Sequence, residues 1–222
     1  MTEYRHEFKY FISDADILII RNRLDTVMHR DIHQNGDCYN IRSIYFDDPF
    51  LSGKQENEDG IDERRKYRIR AYDKDRSFIS LERKEKSHSL TKKKSVRINE
   101  QIYEDLLNGN ATSAIPEDFY YEFHVRPLRP VKLIEYERTA YIENAGNVRI
   151  TFDRNIGYSD NISGMFDNDT GMCPVLSGGL HVLEVKYDEF LPEYIADMLG
   201  TAKLRRTAFS KYYMSFEGGY NL

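Results

Sequence analysis

The stretch Arg64–Lys94, RRKYRIRAYDKDRSFISLERKEKSHSLTKKK, constrains the chain more than any other. Side chains of a β-strand alternate between its two faces. Lys66, Arg68, Arg70 and Tyr72 therefore share one face, and Tyr67, Ile69 and Ala71 the other. Past a polar turn at Asp73–Arg76, a second run places Ser80, Glu82 and Lys84 on one face, with Ile79 and Leu81 opposite. A third run carries Lys92 and Lys94 in register with Val96. Like charges facing each other across a sheet repel, so neighbouring strands of this kind need a partner of opposite sign. A bound polyanion is the simplest one.

Taken singly, each strand reads as the solvated outer face of a sheet, because charged residues are mostly exposed. The weight comes from repetition. Arg5, Glu7 and Lys9 alternate with His6, Phe8 and Tyr10, in a strand expected over Tyr4–Ile12. Ile134, Tyr136, Arg138 and Ala140 share a face of a long strand over Lys132–Ile142. Arg149, Thr151 and Asp153 oppose Val148, Ile150 and Phe152, and Val182, Glu184 and Lys186 fall together further on. With Tyr39–Asp47 these runs predict about eight strands, most with an apolar face and an opposite face carrying Arg, Lys or Glu. Closing them into a barrel removes the edges and creates a lumen that can hold a charged ligand. The expected fold class is α+β: an eight-stranded antiparallel β tunnel barrel with a polar, cationic lumen and flanking helices, as one domain over residues 1–222.

The helices are expected from their punctuation. Ser13 is an N-cap followed by Asp14 and Asp16, with apolar spacing from Ile17 to about His29. Asn35–Gly36 marks a turn. Asp48–Asp62 is acidic and reads as a mobile loop. Asn99 opens a short helix that Gly109 closes, Pro116 precedes another to Val125, and Pro192 opens a C-terminal one that Gly200 interrupts. Phe209–Phe216 reads as helical again, and the Gly-, Asn- and Asp-rich Asp160–Gly179 as a loop or lid over a site.

Composition narrows the function. The net charge of −5 argues against a general nucleic-acid binder, whose footprint is a basic domain. Cations gathered on a few strands of an acidic protein point to an enclosed anion site. Cys38 and Cys173 lack metal-type spacing and read as free thiols of a reducing compartment. The six histidines show no zinc spacing, and no Ser-His-Asp grouping is detectable. No charged-then-apolar leader begins the sequence and no apolar run is long enough to span a bilayer, so the expected location is cytoplasmic.

Seven motifs in order carry a resemblance across nearly the whole chain: RHEFKY at Arg5–Tyr10, KYRIRAY at Lys66–Tyr72, LERK at Leu81–Lys84, YERTAY at Tyr136–Tyr141, VRITFD at Val148–Asp153, LEVKY at Leu183–Tyr187 and FSKY at Phe209–Tyr212. Together they resemble the VTC domain, the polyphosphate-polymerase branch of the triphosphate tunnel metalloenzymes (the CYTH-like superfamily), here in a stand-alone, bacterial-type form. The resemblance implies a tunnel that binds triphosphate or polyphosphate with a divalent metal, Mn²⁺ or Mg²⁺. It further implies transfer of the terminal phosphate of a nucleoside triphosphate, ATP by analogy, to a polyphosphate chain. Carried over, the catalytic set is Lys9, Arg68, Arg70, Lys84, Arg138, Arg149 and Lys211. Lys94, Tyr136 and Ser210 bind substrate, and Arg5 and Lys66 join them by strand parity. Glu184 is the main metal ligand, with Glu7 and Glu82 placed beside it by parity. Where the family has a lysine two residues before its serine, this chain has Ala208, leaving Arg205 or Arg206 to make that contact.

Two other functions stay open at this level: a triphosphatase, with water as the acceptor, and a polyanion-binding module without turnover. The expected partners are a nucleoside triphosphate and polyphosphate, with no nucleic acid. A membrane-protein partner for the product and the oligomeric state are left open.

Overall fold

A computed structural model describes residues 5–218 except 33, 35, 89, 201 and 202, so the expected contributions of Tyr4 and Asn35 lie outside the described residues. Strand β1 (His6–Ser13) ends on a residue that also caps helix α1 (Asp14–Leu24). The Ser13 hydroxyl accepts from the Asp16 N–H, and the Asp16 carboxylate accepts from the Ser13 N–H in return. This reciprocal box fixes the start of the helix. The helix stops at Leu24, short of the expected His29, because His29–Arg30 forms a small strand β2 that pairs with a later one.

Next come β3 (Tyr39–Asp47), α2 (Ser52–Glu58), β4 (Arg64–Tyr72), β5 (Ile79–Ser87) and β6 (Leu90–Ile98). Helix α2 lies inside the segment expected to be a mobile loop. The reason is Asp47, whose buried carboxylate accepts from the N–H groups of Asp48, Gly53 and Lys54 and so satisfies the helix's first donors. Helices α3 (Glu100–Leu107) and α4 (Glu117–Val125) follow, then β7 (Arg129–Glu143) and β8 (Val148–Ser159). Short β9 (Cys173–Pro174), β10 (Leu180–Tyr187), α5 (Glu193–Leu199) and the four-residue α6 (Lys211–Met214) complete the order.

The strands form one antiparallel sheet in the order β1-β10-β8-β7-β3-β4-β5-β6, with β2 added to β7 and β9 to β8. The sheet curls until its edges touch. Arg5 and Thr91 exchange two backbone hydrogen bonds of 3.0 Å, joining the β1 and β6 edges at a single bridge. Beyond that bridge the C-terminal segment runs along the free edge of β1, where the Thr207 N–H donates to the Lys9 carbonyl at 2.8 Å.

The apolar faces of the strands point mainly outward and are covered by helices. One outer core sets Ile44, Tyr67, Ile69 and Leu81 against Leu106 of α3 and Phe119 and Phe123 of α4. A second sets Tyr10, Ile150, Phe152 and Leu183 against Ile17 and Leu24 of α1 and Ile195 of α5. A third core lies inside the curl, where Phe209, Tyr212 and Met214 pack on Tyr45, Ile134, Ile156 and Val182. The inside is therefore not uniformly charged: α6 and its neighbours fill one end with apolar side chains. The segment Asp160–Gly179 is largely irregular, as expected, but it divides: Val175 and Leu176 join the third, inner core, while its first half lies outside the sheet. Its Gly164, Met165 and Asp167 carbonyls accept from the buried Arg42 guanidinium, and Met165 joins the first outer core, so this part clasps the outside of the sheet.

Asp47 ties these layers together, because its carboxylate also accepts from the Tyr212 hydroxyl of α6 at 2.6 Å. Replacing it leaves several buried donors without a partner, each costing about 1–3 kcal/mol. Asp47→Ala is expected to destabilise the fold by about 3 kcal/mol, measured as a lower urea midpoint with an unchanged slope.

Candidate active site

Strand register, not sequence proximity, assembles the inner face. Lys9 pairs with Glu184, Glu7 with Lys186 and Arg138 with Asp153. Arg68 pairs with Glu82, Arg70 with Ser80, and Lys66 with Lys84. Residues of even number on β4 and β5 and of odd number on β1 thus meet inside one lumen.

Three carboxylate centres hold the cations apart. Glu82, 1% exposed, accepts from Arg68 Nε and Nη2 at 2.8 and 2.7 Å and from Lys93 Nζ at 3.1 Å. Burial alone would raise its carboxyl, but Arg70, Arg68 and Lys93 hold it far below the usual carboxylate range. Asp153, wholly buried, receives a forked pair of hydrogen bonds from Arg138 at 2.7 and 2.8 Å and a further one from Lys211. Its carboxyl is lowered by those two cations against the effect of burial. Glu7 and Glu184 form the third centre. The Lys9 amine lies between them, 3.2 Å from Glu7 and 3.7 Å from Glu184. Lys186 stands 2.6 Å from Glu184, and Lys84 donates to both oxygens of Glu7 at 2.6 and 2.7 Å. Both carboxyls are lowered by these lysines, although burial and their mutual repulsion oppose it for Glu7.

Two amines are less well compensated. Lys84 is pushed down to about 8 by its enclosed position and by Lys9 and Lys186, despite the opposing pull of Glu7. Lys66 donates to Asn57 Oδ1 at 2.8 Å and to Ser210 Oγ at 2.7 Å, both neutral acceptors. Burial and the charges of Lys9, Arg64 and Lys84 lower it well below the usual lysine range. Both amines are pushed toward the neutral form, and an anion bound beside them would favour their charged form.

Tyr136 and Ser210 join the lumen as expected. The Tyr136 hydroxyl accepts from Arg70 at 2.9 Å and its ring lies 4.4 Å from the Lys211 amine. Ser210 caps α6 while accepting from Lys66. Other expected residues are placed differently. Lys94 is on the outer face, paired with Asp118 and lying over the Phe119 ring; the register Lys84–Lys93 sends Lys93 inward instead. Arg5 is drawn to Asp188 and the Asn147 carbonyl at the rim, away from the cluster. Arg149 is also at a rim, held by Asp31 and 3.4 Å from the Tyr39 hydroxyl. Arg206 cannot stand in for the lysine missing at Ala208, since it stacks 3.9 Å over the outward-facing Phe8 ring, and Arg205 is exposed. Sequence reasoning passed over Lys186, Asp153 and Lys93 as site residues. Parity with Glu184 and with Arg149 marks the first two, whereas nothing within Lys92–Lys94 says which lysine turns inward.

Among the described residues no group of three or more acidic, histidine or cysteine side chains gathers as a ready-made metal cage. The Glu7–Glu184 pair, converging on one ammonium, is where carboxylate oxygens come together.

A curled antiparallel sheet with a cation-lined lumen defines the class: the fold is that of the triphosphate tunnel, CYTH-like proteins. It is similar to a Bacillus halodurans protein described only as a candidate adenylate cyclase, with 12% identity, 89% of this chain and 88% of that chain covered, and a TM-score of 0.51. It is also similar to a Hippeastrum protein described as a candidate adenylyl cyclase that reveals a dominant triphosphatase activity, at 12% identity, 99% and 97% coverage, and a TM-score of 0.58. The VTC domain family model matches residues 4–218, and the chain belongs to that family. A search of curated proteins finds no match.

Glu82→Gln would strip the charge that Arg68, Arg70 and Lys93 share. Breaking a buried ion pair from one side costs about 3–5 kcal/mol, so the variant is expected to unfold at markedly lower denaturant, and added inorganic tripolyphosphate is expected to restore much of the loss.

Proposed function

We propose that this chain transfers the terminal phosphoryl group of a nucleoside triphosphate, ATP in the first instance, to a polyphosphate chain held in the lumen. The observation that carries this reading is the surplus of inward cations over inward carboxylates, with Lys66 resting on neutral acceptors alone. Phosphoryl transfer asks mainly for positioning and for neutralisation of the charge on the phosphate oxygens. Arg68, Arg70 and Arg138 supply fixed positive charge beside those oxygens, the forks of Arg68 and Arg138 being held by Glu82 and Asp153, while Lys9, Lys66, Lys84 and Lys211 are mobile amines that an anion would keep charged. Tyr136 and Ser210 hold Arg70 and Lys66 in place. Lys93 and Lys186 extend the cationic surface, and Arg149 serves an incoming chain at the rim.

A divalent cation fits the Glu7–Glu184 pair, with Glu184 as the main ligand. Two buried carboxylates already share the Lys9 amine, and a hard cation wants such oxygens plus those of phosphate and water. Bound there, Mn²⁺ or Mg²⁺ would neutralise phosphate charge and free Lys9 to turn toward substrate. Glu82 is a poorer ligand because it stands apart from that pair and is held by the forked guanidinium of Arg68, which stays charged, whereas only lysine amines hold Glu7 and Glu184. Hydrolysis is the second reading. The apolar fill around α6 favours it, since a polymer cannot run straight through that end, whereas water needs no exit path.

Incubation with ATP and Mn²⁺ or Mg²⁺, resolving ADP, free phosphate and polyphosphate, tests the assignment. Polymer formed with ADP is expected, reduced at least 100-fold in Arg70→Ala and Glu184→Ala; free phosphate without polymer would move the protein to the triphosphatases. Charge also sets a pH dependence. Lys84 carries its proton below about pH 8 in the folded protein and sheds it above, so polyphosphate affinity is expected to fall between pH 7 and pH 9. Lys84→Arg, charged throughout, is expected to flatten that part of the binding profile.

A further inference from the structure

We propose that an aromatic ladder at the open mouth of the lumen, Tyr39–Tyr72–Phe78, is the platform on which the nucleobase of the triphosphate donor stacks. The proposal deepens the phosphoryl-transfer reading and rests on it.

All three rings stand on the inner face. Tyr72 continues the alternation of Arg68 and Arg70 on β4, and Tyr39 shares the face of Ile41 and Ser43 on β3. Phe78 precedes β5 with the parity of Ser80 and Glu82. The Tyr39 and Tyr72 centroids are 5.9 Å apart, and those of Tyr72 and Phe78 are 6.0 Å apart. Tyr39 is buried and Tyr72 partly so, but the end of the ladder is open: Phe78 is 44% exposed. The Arg97 guanidinium lies 5.3 Å from the Phe78 centroid and donates to the Ser77 carbonyl at 2.7 Å, which holds it over the ring. A half-exposed ring capped by a fixed guanidinium plane suits a nucleobase, whose π-face can stack on either.

Position relative to the cations decides what such a platform would serve. Along a strand each residue advances about 3.3 Å, so Tyr72 lies roughly 7 Å beyond Arg70 and roughly 13 Å beyond Arg68. The ribose and phosphates of a nucleotide can bridge that separation. Along β4 the ladder lies beyond Arg70, whereas α6 meets the other end of the strand, where Ser210 accepts from Lys66; Tyr39 and Tyr72 border the same inner apolar core as Tyr212. A nucleoside triphosphate entering from this mouth would place its terminal phosphate deepest, among Arg68, Lys84 and Lys9, and leave its base on Phe78. Inorganic tripolyphosphate would use the same cations and ignore the ladder. The chain thus carries a means of preferring nucleotide over inorganic triphosphate, and stacking alone gives it no strong choice among bases.

The test compares binding of ATP and of inorganic tripolyphosphate, by calorimetry, to the wild type and to Phe78→Ala and Phe78→Trp. Phe78→Ala is expected to weaken ATP about tenfold and to leave tripolyphosphate unchanged, with Phe78→Trp restoring ATP. An unchanged thermal melt guards against a folding defect, as the side chain is half exposed. Equal loss for both ligands, or no loss for either, would overturn the ladder's role while leaving phosphate binding in place. Failure of the wild type to bind either ligand would instead remove the phosphoryl-transfer reading, and the platform with it.

Discussion

Electrostatic crowding inside the curled sheet is the constraint on which this structure depends. Strand pairing gathers Lys9, Lys66, Arg68, Arg70, Lys84 and Arg138 on one inner face, and α6 adds Lys211 beside Asp153. Each would repel its neighbours in a medium that screens less than water. Glu82, Asp153 and the Glu7–Glu184 pair are spaced so that most of the cations touch a carboxylate. The acids are correspondingly held ionised, and their removal would cost more than their presence contributes, because isolated buried charges are the expensive state.

The proposed function rests on the imperfection of that neutralisation. A site with complete pairing would have little reason to bind a phosphate chain. Here Lys66 has only amide and hydroxyl acceptors, and Lys84 is held among other lysines. Strain of this kind is relieved by an anionic ligand, so binding and stabilisation are the same event seen from two sides.

The rest of the fold serves to keep that arrangement rigid. Putting the apolar strand faces outward would expose them, and α1, α3, α4 and α5 cover them. The C-terminal segment does something different, entering the lumen to deliver Ser210 and Lys211 and to close one end with Phe209, Tyr212 and Met214. Asp47 links that segment to α2, so the closed end is fastened from both sides of β3.

Much of this was legible in the sequence, because a two-residue period needs no knowledge of the partner strand. The faces carrying Lys66, Arg68 and Arg70, Lys9 and Glu7, or Glu184 and Lys186, follow from alternation alone, as does the Ser13 cap from its local chemistry. Where the decision depends on a neighbouring strand or a distant contact, the sequence was silent or misleading. Lys93 rather than Lys94 turns inward because hairpin register sets it opposite Lys84. Helix α2 forms within an acidic segment because Asp47 caps it from the preceding strand. Arg5 and Arg206 leave the lumen for partners at the rim and on the outer face. Which side chains alternate was a property of the chain itself; which of them face one another, and which charges go unpaired, only the closure of the sheet could decide, because pairing energies belong to distances between strands.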